Sequence, residues 1–273
     1  MQLATLLSLR IALPSVPRVE ALLLGELVQP EPDLRRVVQW VNTDPALTLR
    51  LLMAANAPVF KLSRQVHSAS EALAVLGLVH AHKMVAAAAA NPSFRVLPGL
   101  SMPQFWSYSL DCAKVARSIA KLLRLNQQAA YSCGLIHGLG ALLLRAATPE
   151  AQALDAQLPA LALQRDRLEV LQLGFCATQV TAGLARQGDL PTLMADALQY
   201  QHAPFDNEAY EPLAGVLHLA VWRARARQAG LSGNALTVTF PSAVAEVLEL
   251  DIDMVLQQDP IDWHAQPPGR LSL

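Results

Sequence analysis

Helix starts recur along this chain at short intervals, and almost nothing between them reads as strand. Asp44 followed by Pro45 places a side-chain acceptor at the N-cap and a proline at the first helical position, where its missing N–H has no partner to lose. Ser68-Ala69-Ser70-Glu71 is a capping-box sequence with Glu71 three residues after the cap. Thr148-Pro149-Glu150 repeats the first arrangement. Between these starts run alanine- and leucine-rich segments with apolar residues three and four apart, such as Leu47, Leu51, Ala54 and Ala55. Only LTVTF, Leu236 to Phe240, alternates as a strand does, and so short a segment cannot make a sheet alone. The pattern predicts an all-α fold.

One stretch interrupts the helices. NPSFRVLPGLSMP, Asn91 to Pro103, holds three prolines and a glycine. It predicts a divide near residue 100 between two helical lobes, residues 1–100 and 101–235, followed by a C-terminal extension, 236–273, in which SAVAEVLEL forms a helix and the tail after Pro260 frays. No fixed-period repeat is visible. The 273 residues suit one large or two modest domains.

Apolar residues make up 53% of the chain, enough for a sizeable core, while 16% charged residues and a net charge of −1 argue against disorder, an acidic tail or a protein that coats nucleic acid. Cys112, Cys133 and Cys176 are odd in number and far apart, which matches neither a disulfide framework nor a CxxC metal site; a reducing cytoplasm is expected. The opening MQLATLLSLRIALPSVP lacks a basic region and a small-x-small cleavage site, so it does not read as a signal peptide. Ala72 to Ala90 is apolar but contains His80, His82 and Lys83, and is expected to be a buried helix and not a membrane span.

Three segments then carry a resemblance. LPSVP from Leu13, DPALTLRLLMAANAPVF from Asp44 and SASEALAVLG from Ser68 resemble, in order and spacing, the successive signatures of an HDOD domain. FWSYSLDCAKVARSIAKLL from Phe105, GLIHGLG from Gly134, LGF from Leu173, LPTLMADALQYQHAP from Leu190 and VLHLA from Val216 are similar to that family's degenerate HD-type half. The resemblance covers most of residues 12–225. It implies a two-lobed helical bundle related to metal-dependent HD phosphohydrolases, generally without demonstrated catalysis and used in bacterial signalling.

An active HD hydrolase holds metal with a histidine, an adjacent His-Asp pair and a later aspartate, which together generate a hydroxide nucleophile. On this chain those positions fall at Tyr108, His137-Gly138 and Val221, so only His137 remains. One neutral imidazole supplies neither the ligand count nor the charge for a hydrolytic divalent metal. Asp111 and His218 each lie within one helical turn of a vacated position, which leaves a divergent phosphohydrolase with a shifted Asp111, His137 and His218 site as the rival reading. A lone histidine in LIHGLG is more often a satisfied core residue than a ligand. The functional alternative is a remnant pocket in which Tyr108, His137 and His202 line a small-molecule or nucleotide cavity.

The remaining candidates are weaker. Gly134 and Gly138 are spaced for close helix approach; Gly138-Leu139-Gly140 lacks a third glycine and a preceding strand, and no GxxxxGK occurs. His80 and His82 point to different sides of a helix. EALAVLGLVHAHKMVAAA has a glycine between two short helices, faintly like a helix-turn-helix, but its second helix carries only Lys83 for phosphate contact. Arg223, Arg225 and Arg227 read as a solvated helix edge, with an acidic partner or bound phosphate as the alternative. The cysteines read as small core residues and the tryptophans as packing anchors. The expectation is a cytoplasmic regulatory protein, not an enzyme, with no cofactor and no metal. It would bind a protein partner or a nucleotide second messenger and be independent of membranes; a DNA-binding regulator is the second rival.

Overall fold

The computed structural model describes residues 1–9, 11–90, 97, 99–159, 162 and 164–257. The first helices are α1 (Leu3–Ser8), α2 (Pro17–Leu27), α3 (Leu34–Val41), α4 (Pro45–Ala55) and the long α5 (Ala69–Ala90). There follow α6 (Met102–Leu122), α7 (Gln127–Ile136), α8 (Leu139–Ala147), α9 (Pro149–Ala153), α10 (Arg165–Leu173), α11 (Ala177–Gln187), α12 (Thr192–Tyr200) and α13 (Pro212–Gln228). Three short helices close the described chain: α14 (Asn234–Thr239), α15 (Ser242–Val247) and α16 (Ile252–Gln257). Among the described residues there is no strand, only an isolated bridge between Leu97 and Leu100. The fold is all-α, as the punctuation predicts.

The caps form where the sequence placed them, with local differences. Asp44 caps α4 by accepting from Leu47 N at 2.9 Å, and its second oxygen accepts from Val16 N at 2.7 Å. That carboxylate is fully buried, and burial pushes its pKa up to about 6. Arg50 donates to Ser15 Oγ at 3.1 Å and to the Leu13 carbonyl, so the LPSVP segment is tied down on α4. At α5, Ser68 Oγ accepts from Glu71 N at 3.3 Å, while Glu71 reaches back to His67 N at 2.7 Å, one residue before the cap. Thr148 starts α9 in extended geometry, but its hydroxyl donates backwards to the Leu144 carbonyl and leaves Pro149 to open the helix.

Two expectations need correction, those for the Ala72 to Ala90 helix and for the Arg223, Arg225 and Arg227 cluster. LTVTF, whose alternation is too short to make a sheet alone, is helical: Leu236 to Thr239 lie in α14, where local helical bonds satisfy the backbone groups. Trp222 packs edge-on against Phe240 at 5.3 Å and donates to Thr239 Oγ1 at 3.2 Å. The Ala72 to Ala90 helix is not buried: only Ala69, Ala72, Leu73, Ala81 and Val85 of α5 are, and Val79 is 74% exposed. Gly77, at φ 74° and ψ 162°, breaks the helix in a conformation that favours glycine, and beyond it a single stripe of small residues holds the second half. The Arg223, Arg225 and Arg227 cluster is treated below. The expected break at Asn91 to Pro103 falls largely outside the described residues, as do Trp263 and the tail after Pro260.

Two described stretches are long and apolar enough to cross a membrane, α5 and the run from Gln127 to Ala147. The second is 94% buried within the protein and is core; the first is interrupted at Gly77.

One hydrophobic cluster runs from Leu6 to Val255 and includes residues on both sides of residue 100. Within it α6 and α7 approach closely at Gly134, where a Cβ would lie 2.7 Å from Ala113 Cα, so the close approach expected of this glycine is present. Leu7 of α1 fills the space beside Gly183 of α11, and Met53 of α4 that beside Gly188. Tyr131 on α7 donates to the Asn42 carbonyl at 2.7 Å, with Arg117 5.0 Å over its ring.

Candidate functional site

The site begins at a bend. α7 ends at Ile136, His137 is its C-cap, and Gly138 opens α8, so the chain turns at His137-Gly138. The bend sits against α11: Gly140 N donates to Thr181 Oγ1 at 2.9 Å, and a Cβ on Gly140 would fall 2.1 Å from the Ala177 carbonyl. The His137 carbonyl accepts from Thr181 Oγ1 at 3.1 Å and from Gln201 Nε2 at 3.4 Å. His137 Nδ1 lies 2.7 Å from the Gly134 carbonyl, which makes Nδ1 the protonated nitrogen. Burial pulls the imidazole pKa down to about 3, with nearby Arg225 acting in the same direction, so the ring is neutral at neutral pH.

Tyr108 of α6 stands edge-on to His137, ring centres 5.0 Å apart. Its hydroxyl accepts from Arg225 Nε of α13 at 3.2 Å, and burial raises its pKa. His202, after α12, places Nδ1 2.8 Å from Asp166 of α10, whose carboxylate also accepts from Thr178 Oγ1 at 3.0 Å. Burial alone would raise the Asp166 pKa, but the bond and charge of His202 and the bond from Thr178 outweigh it and the carboxyl is held below its usual value. Asp166 is aimed by its neighbour. Arg165 is 1% exposed and bonds Glu169 at 3.0 Å, Asp155 at 3.2 Å, and the carbonyls of Ala151 and Leu158. Glu169 in turn accepts from Ala177 N at 2.8 Å at the start of α11.

Tyr108, His137 and His202 therefore line one cavity, together with Asp166, Gln201 and Arg225. The cavity opens to solvent, and its space for water-sized molecules is about 20 Å³, room for little more than one water. The sequence reading named the first three and missed Asp166 and Gln201. Asp166 lies 36 residues from His202, beyond any local spacing rule, and Gln201 carried no signal beyond adjacency to His202.

The basic cluster is not a solvated edge. Arg223 is buried, Arg225 turns to Tyr108, and Arg227 pairs with Asp111 at 2.7 Å. The reason is the length of α13: its last turns still run against α6, so these side chains extend across that helix. Asp111 is thus engaged by a cation. His218 Nδ1 bonds the Gln201 carbonyl at 2.8 Å. Among the described residues no three His, Cys, Asp or Glu side chains are grouped to hold a metal, so the shifted Asp111, His137 and His218 site is not assembled. At the fourth position of the HD pattern, Val221 is fully buried in the core. Cys112 is buried and its thiol pKa is raised by burial, although Arg225 acts on it from nearby, a basic group that the sequence did not reveal.

The HDOD domain model matches residues 13–204. This chain belongs to the HDOD family. Its helical architecture and its altered HD positions are those of a degenerate HD-like domain. The crystal structure of the MmoQ response regulator from Methylococcus capsulatus str. Bath is similar to this HDOD chain at 25% identity, with a TM-score of 0.75, over 93% of this chain and 100% of that one. A virulence factor from Campylobacter jejuni subsp. jejuni shares the fold at 16% identity, with a TM-score of 0.63, over 91% of this chain and 98% of that one. An uncharacterized protein of Treponema pallidum (strain Nichols) is 25% identical over 219 residues, 76% of this chain; the match spans 41% of that protein's length.

Proposed function

We propose that this HDOD chain is a non-catalytic regulatory protein of a bacterial cytoplasm that acts by binding a protein partner or a small signalling ligand. The supporting observation is Arg225, whose guanidinium lies 3.2 Å from Tyr108 Oη, beside His137. A fixed cation in the cavity lining repels a divalent ion, and on the HD resemblance the carboxylates that would offset that repulsion are replaced at Gly138 and Val221. The remaining carboxylate in the cavity, Asp166, is held by His202 and Thr178. The match to MmoQ, named a response regulator, over that chain's whole length favours a signalling role. DNA reading is not part of this proposal, because the arginines of α13 are turned into the protein. We take residues 1–100 and 101–235 as two lobes that together present the binding surface, with 236–273 as an extension.

The test is elemental analysis of protein purified without chelators, combined with a phosphodiesterase assay on bis(p-nitrophenyl) phosphate with added manganese. The expected result is metal well below one ion per chain and no metal-dependent turnover. Stoichiometric iron, manganese or zinc that disappears in His137→Ala would overturn the reading. Salt-dependent, sequence-selective binding to duplex DNA would replace it with the transcriptional one.

A further inference from the structure

Charge is segregated along this chain, although its net value is −1. No Asp or Glu occurs from Cys112 to Pro149, and no Lys or Arg occurs from Gln187 to Trp222 or from Gln228 to Gln257. The fold gathers each sign on a face. Lys114, Arg117 and Lys121 are three and four residues apart on α6, on one stripe of the helix, and Arg124 follows its end. Lys114 is half-buried and the other three are exposed. None of the four has an ion-pair partner among the described residues. Asp111, the acid that precedes the row, is buried against Arg227 at 2.7 Å.

The acidic face lies on the last helices. Glu246 of α15, Glu249 and Asp251 in the turn after it, and Asp253 of α16 are all exposed. The loop before α13 joins them. Tyr210 Oη, Leu248 and Val244 converge on Gly215 of α13, where a Cβ would lie 2.4 to 3.3 Å from all three. Tyr210 thus ties the loop that carries Asp206 and Glu208 to α15, and Phe205, 52% exposed, stacks on its ring at 5.9 Å. Val247 and Met254, next to Glu246 and Asp253 in the chain, are 53% and 40% exposed. These carboxylates too have no ion-pair partner among the described residues.

Each face has the charge that the other lacks, and a net charge near zero leaves little repulsion between whole molecules. We propose that the acidic face, with Phe205, Val247 and Met254, docks on the α6 cation row of a second copy of this chain. Exposed ion pairs contribute little affinity one by one, so the three apolar side chains supply contact area while the charges steer and register the approach. An acidic protein or a nucleic acid on the row would use half of this pattern; a second copy uses both halves. The docking is independent of what the His137 cavity holds.

Sedimentation velocity of the full chain, at concentrations up to about 1 mM and in about 0.05 and about 0.5 M sodium chloride, reads the association. Expected is concentration-dependent assembly whose affinity falls at least about tenfold at the higher salt. Lys121→Glu with Arg124→Glu, and separately Glu246→Lys with Glu249→Lys, change exposed side chains and are expected to give folded monomers with the parent's circular dichroism. Mixed in equal amounts, the two double variants are expected to form heterodimers, because one keeps the acidic face and the other keeps the row. Should the Glu variant fail to fold, Lys121→Gln with Arg124→Gln is expected to weaken assembly by about tenfold. A parent that stays monomeric at low salt, assembly indifferent to salt, a variant that assembles as the parent does, or a mixture that remains monomeric would each overturn the docking. So would a monomeric parent whose row binds duplex DNA or polyglutamate, since the row would then serve another partner.

Discussion

His137 and Asp44 are both buried, and they respond to pH in opposite senses. The His137 pKa falls from 6.5 to about 3 on folding, so the unfolded chain binds the proton more tightly. Its contribution to stability is present above about pH 6.5 and is lost as pH falls toward 3, by about 2 kcal/mol between pH 7 and 5. Asp44 rises from 3.8 to about 6, so the folded state holds its proton more tightly. That contribution is present below about pH 4 and declines as pH rises through 6, by about 3 kcal/mol in full. Urea unfolding across this range checks both. His137→Phe is expected to lose less stability than the parent on acidification. Asp44→Asn is expected to gain stability more steeply with rising pH than the parent, from a level lowered by about 1–3 kcal/mol, since an amide cannot accept from both Leu47 N and Val16 N. At this scale the sequence exposed Tyr108, His137 and His202 because a family pattern lent them positions. It hid Asp166, Gln201 and the inward turn of Arg225, which depend on where α10, α12 and α13 come to rest.

Glycines mark the difference between elements that touch and elements that do not. Gly140 lets α8 lie against α11, and a methyl group there would meet the Ala177 carbonyl and Thr181 at 2.1 to 2.7 Å. Gly140→Ala is expected to destabilise the protein by about 1–3 kcal/mol and to disturb the His137-Gly138 bend. Gly25, inside α2, has nothing within 4 Å of a new Cβ. Gly25→Ala is expected to stabilise by about 0.5–1 kcal/mol through helix propensity alone. Thermal melts of the two variants check the contrast. Capping and periodicity made most helices legible, including the α4 and α9 starts and the break at Gly77. α14 shows that alternation over so short a segment does not by itself make a strand.

The two groups of helices share a continuous core through Leu7 with Gly183, Met53 with Gly188 and Tyr131 with Asn42. Unfolding in urea is therefore expected to be one cooperative transition, with the fluorescence of Trp40 and of Trp222, isolated by Trp→Phe replacement elsewhere, following the same curve. An earlier midpoint for Trp40 would mark the lobes as independently stable. The chain's own residues determined that it is helical and where most helices begin, because caps and periodicity are local properties, while the resemblance placed Tyr108, Gly138 and Val221 where HD hydrolases carry metal ligands. Only the tertiary structure decided that Asp166 meets His202 and that Arg225 faces Tyr108. Those relations join residues 36 to 117 positions apart, and packing alone sets such distances.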